Sequence, residues 1–181
     1  SHNTFTNVTS VNNTADNGGS TYIIGDYTLV ENSTIHNNTA IYGGGVNIEG
    51  DYSTFVNNNI TFNKAIDNSE DPAVTAGGGV VIFTLFGNEC NFTKNNISSN
   101  YAQDGGGIFI ASYEGDIYLN EIYAFNNTAE NGGFCHIMHA DNVYVSNSTL
   151  LNNSAFGDIS RNRGEGGAFH ISNTNNIEIQ A

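Results

Sequence analysis

Six times along this chain an Asn stands two residues before an Ala, and a pair of glycines follows soon after. The Ala residues are Ala15, Ala40, Ala65, Ala102, Ala129 and Ala155, at intervals of 25, 25, 37, 27 and 26. Their companions are Asn13, Asn38, Asn63, Asn100, Asn127 and Asn153. The glycine pairs are Gly18-Gly19, Gly43-Gly44, Gly77-Gly78, Gly105-Gly106, Gly132-Gly133 and Gly166-Gly167. Four residues past each second glycine stands an isoleucine: Ile23, Ile48, Ile82, Ile110, Ile137 and Ile171. Compositional bias does not fill four columns without a miss, so the chain is a tandem repeat of the solenoid kind.

Inside each repeat the hydrophobic period is two, not 3.6. Apolar residues alternate after the glycine pair, as in Val46/Ile48, Ile108/Ile110 and Phe169/Ile171. A second column lies ten residues before each Ala: Phe5, Val30, Phe55, Phe92, Leu119 and Val145. A third includes Ile35, Ile60, Ile97 and Leu150. Short alternating runs bounded by Gly, Asn and Asp are strands. The spacing therefore predicts an all-β chain, a right-handed parallel β-helix of about six coils with three short strands each. Coils about 4.8 Å apart stack like residues into ladders. On this reading Ile fills the interior and Ala fits an inward bend. The glycines make a corner by positive φ or close backbone approach, and the Asn amide satisfies backbone groups that the turn leaves unpaired.

The segments "FNNTAENGG" (125–133) and "NNSA…GGAFHI" (152–171) resemble the polymorphic outer-membrane protein repeat, with its FxxN and GGA[ILV] motifs. That repeat also occurs in Asn-rich adhesin-like surface proteins of methanogenic archaea and in surface proteins of some protists. The resemblance covers essentially the whole chain, although only Gly166-Gly167-Ala168 carries the family's Ala. It implies a right-handed parallel β-helix displayed outside the cell, often adhesive.

With 18 acidic and 4 basic residues the formal charge is −14, which disfavours nucleic acid and anionic membrane surfaces as partners. No apolar run approaches the roughly 20 residues of a membrane span, so no direct membrane insertion is expected. Four cations serve a uronate lyase poorly, and a hydrolase needs convergent carboxylates. Asp26, Asp51 and Asp116 each follow a Gly and read as turn-formers. His136 and His170 share one outward column, where they read as surface polar residues that stack across neighbouring coils without a third metal ligand. No catalytic residue, metal or cofactor is expected. Cys90 and Cys135 fall in different strand columns two coils apart, too far for a disulfide, and are expected as inward-facing thiols.

The sequon Asn-x-Ser/Thr occurs at Asn7, Asn12, Asn32, Asn37, Asn59, Asn91, Asn96, Asn126, Asn147 and Asn152. Four of these lie three residues before the repeat Ala and three lie eight before it, so used sites would carry sugars in rows. Two insertions, 66–76 and 156–165, leave the same corner three coils apart. They offer Asp67, Glu70, Asp71, Arg161 and Arg163 as contact residues, because loops on a rigid scaffold concentrate function. Residues 1–181 read as one domain of six coils plus an overlapping terminal strand, with no capping element at either end. The expectation is a glycosylated, extracellular or cell-surface rod that stacks head to tail with other copies or forms part of a large adhesin. Host-cell or matrix glycans are candidate targets. The alternative is a carbohydrate-binding or polysaccharide-degrading β-helix, which a groove lined by carboxylates and aromatics would favour.

Overall fold

The computed structural model describes residues 2–69, 73–84, 86, 89–157 and 164–180. Every strand pairing among them is parallel, and the strands stack in chain order as a parallel β-helix. Sheet 1 has seven strands: Asn3–Thr6, Thr28–Glu31, Ser53–Val56, Cys90–Thr93, Asp116–Asn120, Asn142–Ser146 and Asn176–Gln180. Sheet 2 has six: Thr9–Val11, Thr34–His36, Asn59–Thr61, Asn96–Ser98, Tyr123–Phe125 and Thr149–Leu151. Sheet 3 has six: Thr21–Ile24, Val46–Glu49, Val80–Phe83, Ile108–Ala111, Cys135–Met138 and Phe169–Ser172.

The repeat columns of the sequence are the rungs of these ladders. Ile23, Ile48, Ile82, Ile110, Ile137 and Ile171 pair in unbroken register along sheet 3. Phe5, Val30, Phe55, Phe92, Leu119 and Val145 do so along sheet 1, with Phe55 and Phe92 stacked at 4.6 Å. Ile35, Ile60 and Ile97 continue through Ala124 to Leu150 on sheet 2. These columns meet in one core whose middle coils exclude water completely. Each fully buried Ile or Phe there contributes about 1.5–3 kcal/mol, but only because a coil lies on both sides of it. Cys90 and Cys135 lie in this core as thiols, on sheets 1 and 3 respectively. Burial pushes the Cys90 thiol up to about 12, so it behaves as a small apolar side chain.

One departure from three strands per coil is a short fourth ladder at the Ala corner. Thr39–Ala40 pairs with Lys64–Ala65, and Thr128–Ala129 with Ser154–Ala155. Single bridges through Thr14 and Tyr101 complete the column. Two residues are too few to show alternation, so no sequence period announces this ladder.

The corners explain the remaining fixed letters. Where sheet 1 passes to sheet 2, Asn7, Asn32, Asn57, Lys94, Glu121 and Asn147 all have positive φ. Where sheet 2 leaves toward the Ala column, Asn12, Asn37, Phe62, Ser99, Asn126 and Asn152 do the same. All twelve lie between +48° and +61°, the left-handed region that Asn tolerates best among residues with a Cβ. In the glycine pairs the work is divided. The first glycine takes φ of +57° to +67°. The second lies against the next coil: a methyl on Gly44 would run into the carbonyl oxygens of Lys64 and Gly78.

Just inside the second corner runs a buried amide ladder. From Asn13 through Asn38, Asn63, Asn100 and Asn127 to Asn153, each backbone N–H and each Nδ2 donates to the next coil's Oδ1 at 2.9–3.1 Å. From Asn38 onward each Nδ2 also reaches back to the carbonyl of Ser10, Ile35, Ile60, Ile97 or Ala124. A second, mixed ladder occupies the first corner. The Val8 N–H donates to Ser33 Oγ, Ser33 N–H to Asn58 Oδ1, Asn58 N–H to Asn95 Oδ1, and Ile122 N–H to Ser148 Oγ.

Candidate binding groove

In a β-helix the outward side of a sheet normally faces water, and on sheet 3 that expectation fails. The outward column is Tyr22, Asn47, Val81, Phe109, His136 and His170. Val81 is fully buried, and Asn47, Phe109 and His136 are at most 8% exposed. Val81 and Phe109 form a second apolar cluster with Ala76, against which Tyr42, Phe83, Ala111 and Met138 pack. The signal was present in "GGGVVIF" and "GGGIFIA" (77–83 and 105–111), where apolar runs are continuous rather than alternating. A continuous run marks a strand covered on both faces.

The cover comes from the corner column Asn17, Tyr42, Ala76 and Asp104, with one wall added by the insertion after Ala65. Asp67 accepts backbone N–H bonds from Ser69 at 2.9 Å and from Ala73 at 2.8 Å. Those bonds, the one from Ala73 first, hold its carboxyl below the ordinary carboxylate range and keep Ala73 beside Asp67. The insertion's last residues, Val74 and Ala76, form one wall of a groove of roughly 430 Å³. Tyr42, Asn17 and Asp104 flank it from the corner column, while Asn47, Glu49, Phe83 and Phe109 come from sheet 3. The groove thus crosses four successive coils, about 14 Å along the axis at the usual strand spacing. Its volume falls in the roughly 300–1,000 Å³ typical of small-molecule sites.

Apolar and polar groups are segregated within it. Phe83 is half-buried and meets Phe109 at 6.0 Å and 60°. Glu49 accepts the Tyr22 hydroxyl at 2.7 Å, and that bond raises the Tyr22 pKa. Asp104 Oδ1 accepts Asn131 Nδ2 at 2.8 Å and lies 3.2 Å from His136 Nδ1. Asn47, 1% exposed, donates from Nδ2 to Asn17 Oδ1 at 3.3 Å. Its Oδ1 has no hydrogen-bond donor. Beyond the groove His136 and His170 stack at 4.3 Å and 15°, the contact the shared column predicts. They are not exposed surface residues, however: Phe109 meets the His136 ring edge-on at 5.3 Å, and His136 is 6% exposed. Burial first, and the His136 charge second, hold His170 below its ordinary value, while Glu165 lies 3.1 Å from its Nε2.

The other sequence-predicted residues lie elsewhere. The sequons Asn7, Asn12, Asn32, Asn37, Asn126, Asn147 and Asn152 are exposed at the two left-handed corners bounding sheet 2. Their alignment into rows therefore has a backbone cause, independent of any sugar. Asn59 and Asn96 lie on sheet 2, where Asn96 Nδ2 donates to Asn59 Oδ1 at 2.7 Å, and Asn91 lies on sheet 1. None of the ten falls on sheet 3. Glu70, Asp71, Arg161 and Arg163 lie outside the described residues. A further aromatic feature went unread: His2, Tyr27 and Tyr52 stack at 5.0 and 4.7 Å along one edge of sheet 1. Among the described residues no group of three or more His, Cys, Asp or Glu side chains could hold a metal ion. Nor is any helix there long and apolar enough to cross a membrane. No family model, curated protein or solved structure matches the chain.

Proposed function

We propose that the chain is a non-enzymatic adhesive segment of an extracellular or cell-surface β-helix rod, with sheet 3 as its recognition face. The observation that carries this reading is the division of the rod's circumference. The sheet 3 face, with its groove of roughly 430 Å³, bears none of the ten sequons, whereas the exposed corners on both sides of sheet 2 bear seven, and the smaller groove on sheet 1, roughly 310 Å³ beside Tyr27 and Tyr52, includes the sequon Asn91. Sugars added at those corners would shield sheet 2 and leave the sheet 3 groove open. Further coils would lengthen the rod at the end where Ile177 and Ile179, beneath Val143 and Val145, are 46% and 61% exposed. A second copy fills all three sheets only if Asn3–Thr6 or Asn176–Gln180 gives up its place, since sheet 1 has one strand more than the others.

The test uses beads coated with the chain on monolayers of cultured cells. Phe83→Arg on sheet 3 should abolish adhesion and Thr54→Arg on sheet 1 should not. Equal effects of the two changes, or no adhesion by the unaltered chain, would reject the reading. Cleavage of a polysaccharide by the purified chain, lost in Glu49→Gln, would replace it with the enzymatic alternative.

A further inference from the structure

We infer that the sheet 3 groove binds an uncharged oligosaccharide, through pyranose rings laid against Phe83 and hydroxyls directed to Asn47 and Glu49. The inference rests on the adhesive reading and names its ligand class.

The charge of the site is the first constraint. Among the described residues no Lys or Arg lines the groove, two carboxylates do, and the chain carries a formal −14. Uronates, sialic acids and sulfated sugars would enter with uncompensated repulsion and no cation to meet them. The second constraint is the mixed lining. Tyr42, Val74, Ala76 and Phe83 present apolar surface, and Glu49 and Asp104 present acceptors at its rim. A pyranose has the matching form, with C–H groups on its faces and hydroxyls around its edge. Aromatic rings offer such faces a large contact area at small entropic cost.

The third observation points to a ligand independently. Asn47 is almost completely buried at the groove floor, and its Oδ1 lacks a donor. A buried acceptor without a partner costs about 1–3 kcal/mol. The amides of the inner ladder are fully bonded; among the described residues Asn96 Oδ1 on sheet 2 is the other amide oxygen buried without a donor, and it lines no apolar groove. A sugar hydroxyl is a neutral donor of the right size to answer Asn47 Oδ1. Cationic ligands fit less well. Glu49 already accepts the Tyr22 hydroxyl, and Asp104 accepts bonds from Asn131 and His136. Phe109 is 8% exposed, and Phe83 and Tyr42 are each half-buried, so the three rings present partial faces and not a closed cage. A groove crossing four coils has length for more than one ring, which favours an oligosaccharide over a monosaccharide.

Isothermal titration of the full chain with uncharged hexose and N-acetylhexosamine oligosaccharides tests this, with oligouronates and a lysine-rich peptide as comparison. Saturable binding of an uncharged oligosaccharide is expected, with no uptake of oligouronate. Phe83→Ala should weaken it about tenfold, Glu49→Gln should weaken it while leaving the melting temperature unchanged, and Thr54→Ala should have no effect. Binding of the basic peptide or oligouronate in place of neutral sugar would overturn the inference, as would sugar binding insensitive to Phe83→Ala. Bead adhesion that survives in a chain blind to every neutral oligosaccharide would reject the ligand alone. Absence of adhesion together with absence of sugar binding would reject the recognition face as well.

Discussion

Asn63 shows how much a single side chain can hold in this architecture. Its Oδ1 accepts from the backbone and side-chain nitrogens of Asn38, and its Nδ2 donates to Ile35 O and Asn100 Oδ1. Asn63→Ala breaks all four bonds in a site without water. Urea denaturation should show a loss of about 3–5 kcal/mol, because each stranded buried group costs its desolvation. Its neighbour at the same corner, Phe62, is 52% exposed and held at φ of +57°. There Phe62→Asn should raise stability by about 0.5 kcal/mol, since relief of left-handed strain outweighs the lost edge contact with His36. The Asn column was legible because its letter never varies. The sequon rows were legible as rows, but their cause is a backbone angle that sequence does not print. Ser33, Asn58 and Asn95 form a shorter ladder, broken at Ile122, whose N–H donates to Ser148 on the next coil. Serine and asparagine satisfy the same bond, so no fixed letter marks that column.

At the scale of the element, sheet 3 separates what alternation can show from what it cannot. Its inward isoleucines follow from period two alone. Its outward face depends on the corner residues Asn17, Tyr42, Ala76 and Asp104 and on Val74 beside them, so the groove is a tertiary consequence of residues far apart in sequence. The stacked histidines on the same face give the sheet a pH dependence with a definite sign. Burial and His136 lower the His170 pKa from its ordinary 6.5, although Glu165 and Asp104 pull the other way. Below about 6.5 the unfolded chain therefore takes up a proton that the folded one resists. Melting temperature should be flat above that pH and should fall below it. His170→Gln should flatten this part of the profile, leaving only the later loss that comes as the carboxylates protonate.

For the whole molecule, stability accrues coil by coil through nearest neighbours. Inserting a second copy of residues 41–65 directly after Ala65 places each duplicated residue one full coil on, since Ala40 and Ala65 are equivalent rungs. The lengthened chain should fold, with a larger denaturant m-value and a higher midpoint. One residue inserted inside a strand, between Thr54 and Phe55, should instead lower the midpoint sharply, because it turns Phe55 from the core to the outward face.

The direction of the amide ladder has a mechanical meaning. Its bonds, like those of all three sheets, point along the rod, so tension between the two ends pulls on every coil junction directly instead of shearing one strand past another. A junction then opens as a unit, with a buried Asn pair giving way together with its backbone neighbours. A rod stretched in an optical trap should lengthen in steps, about 85 Å for each 25-residue coil released. Such a tether yields by instalments and re-forms when slack, which suits an attachment that must outlast brief pulls.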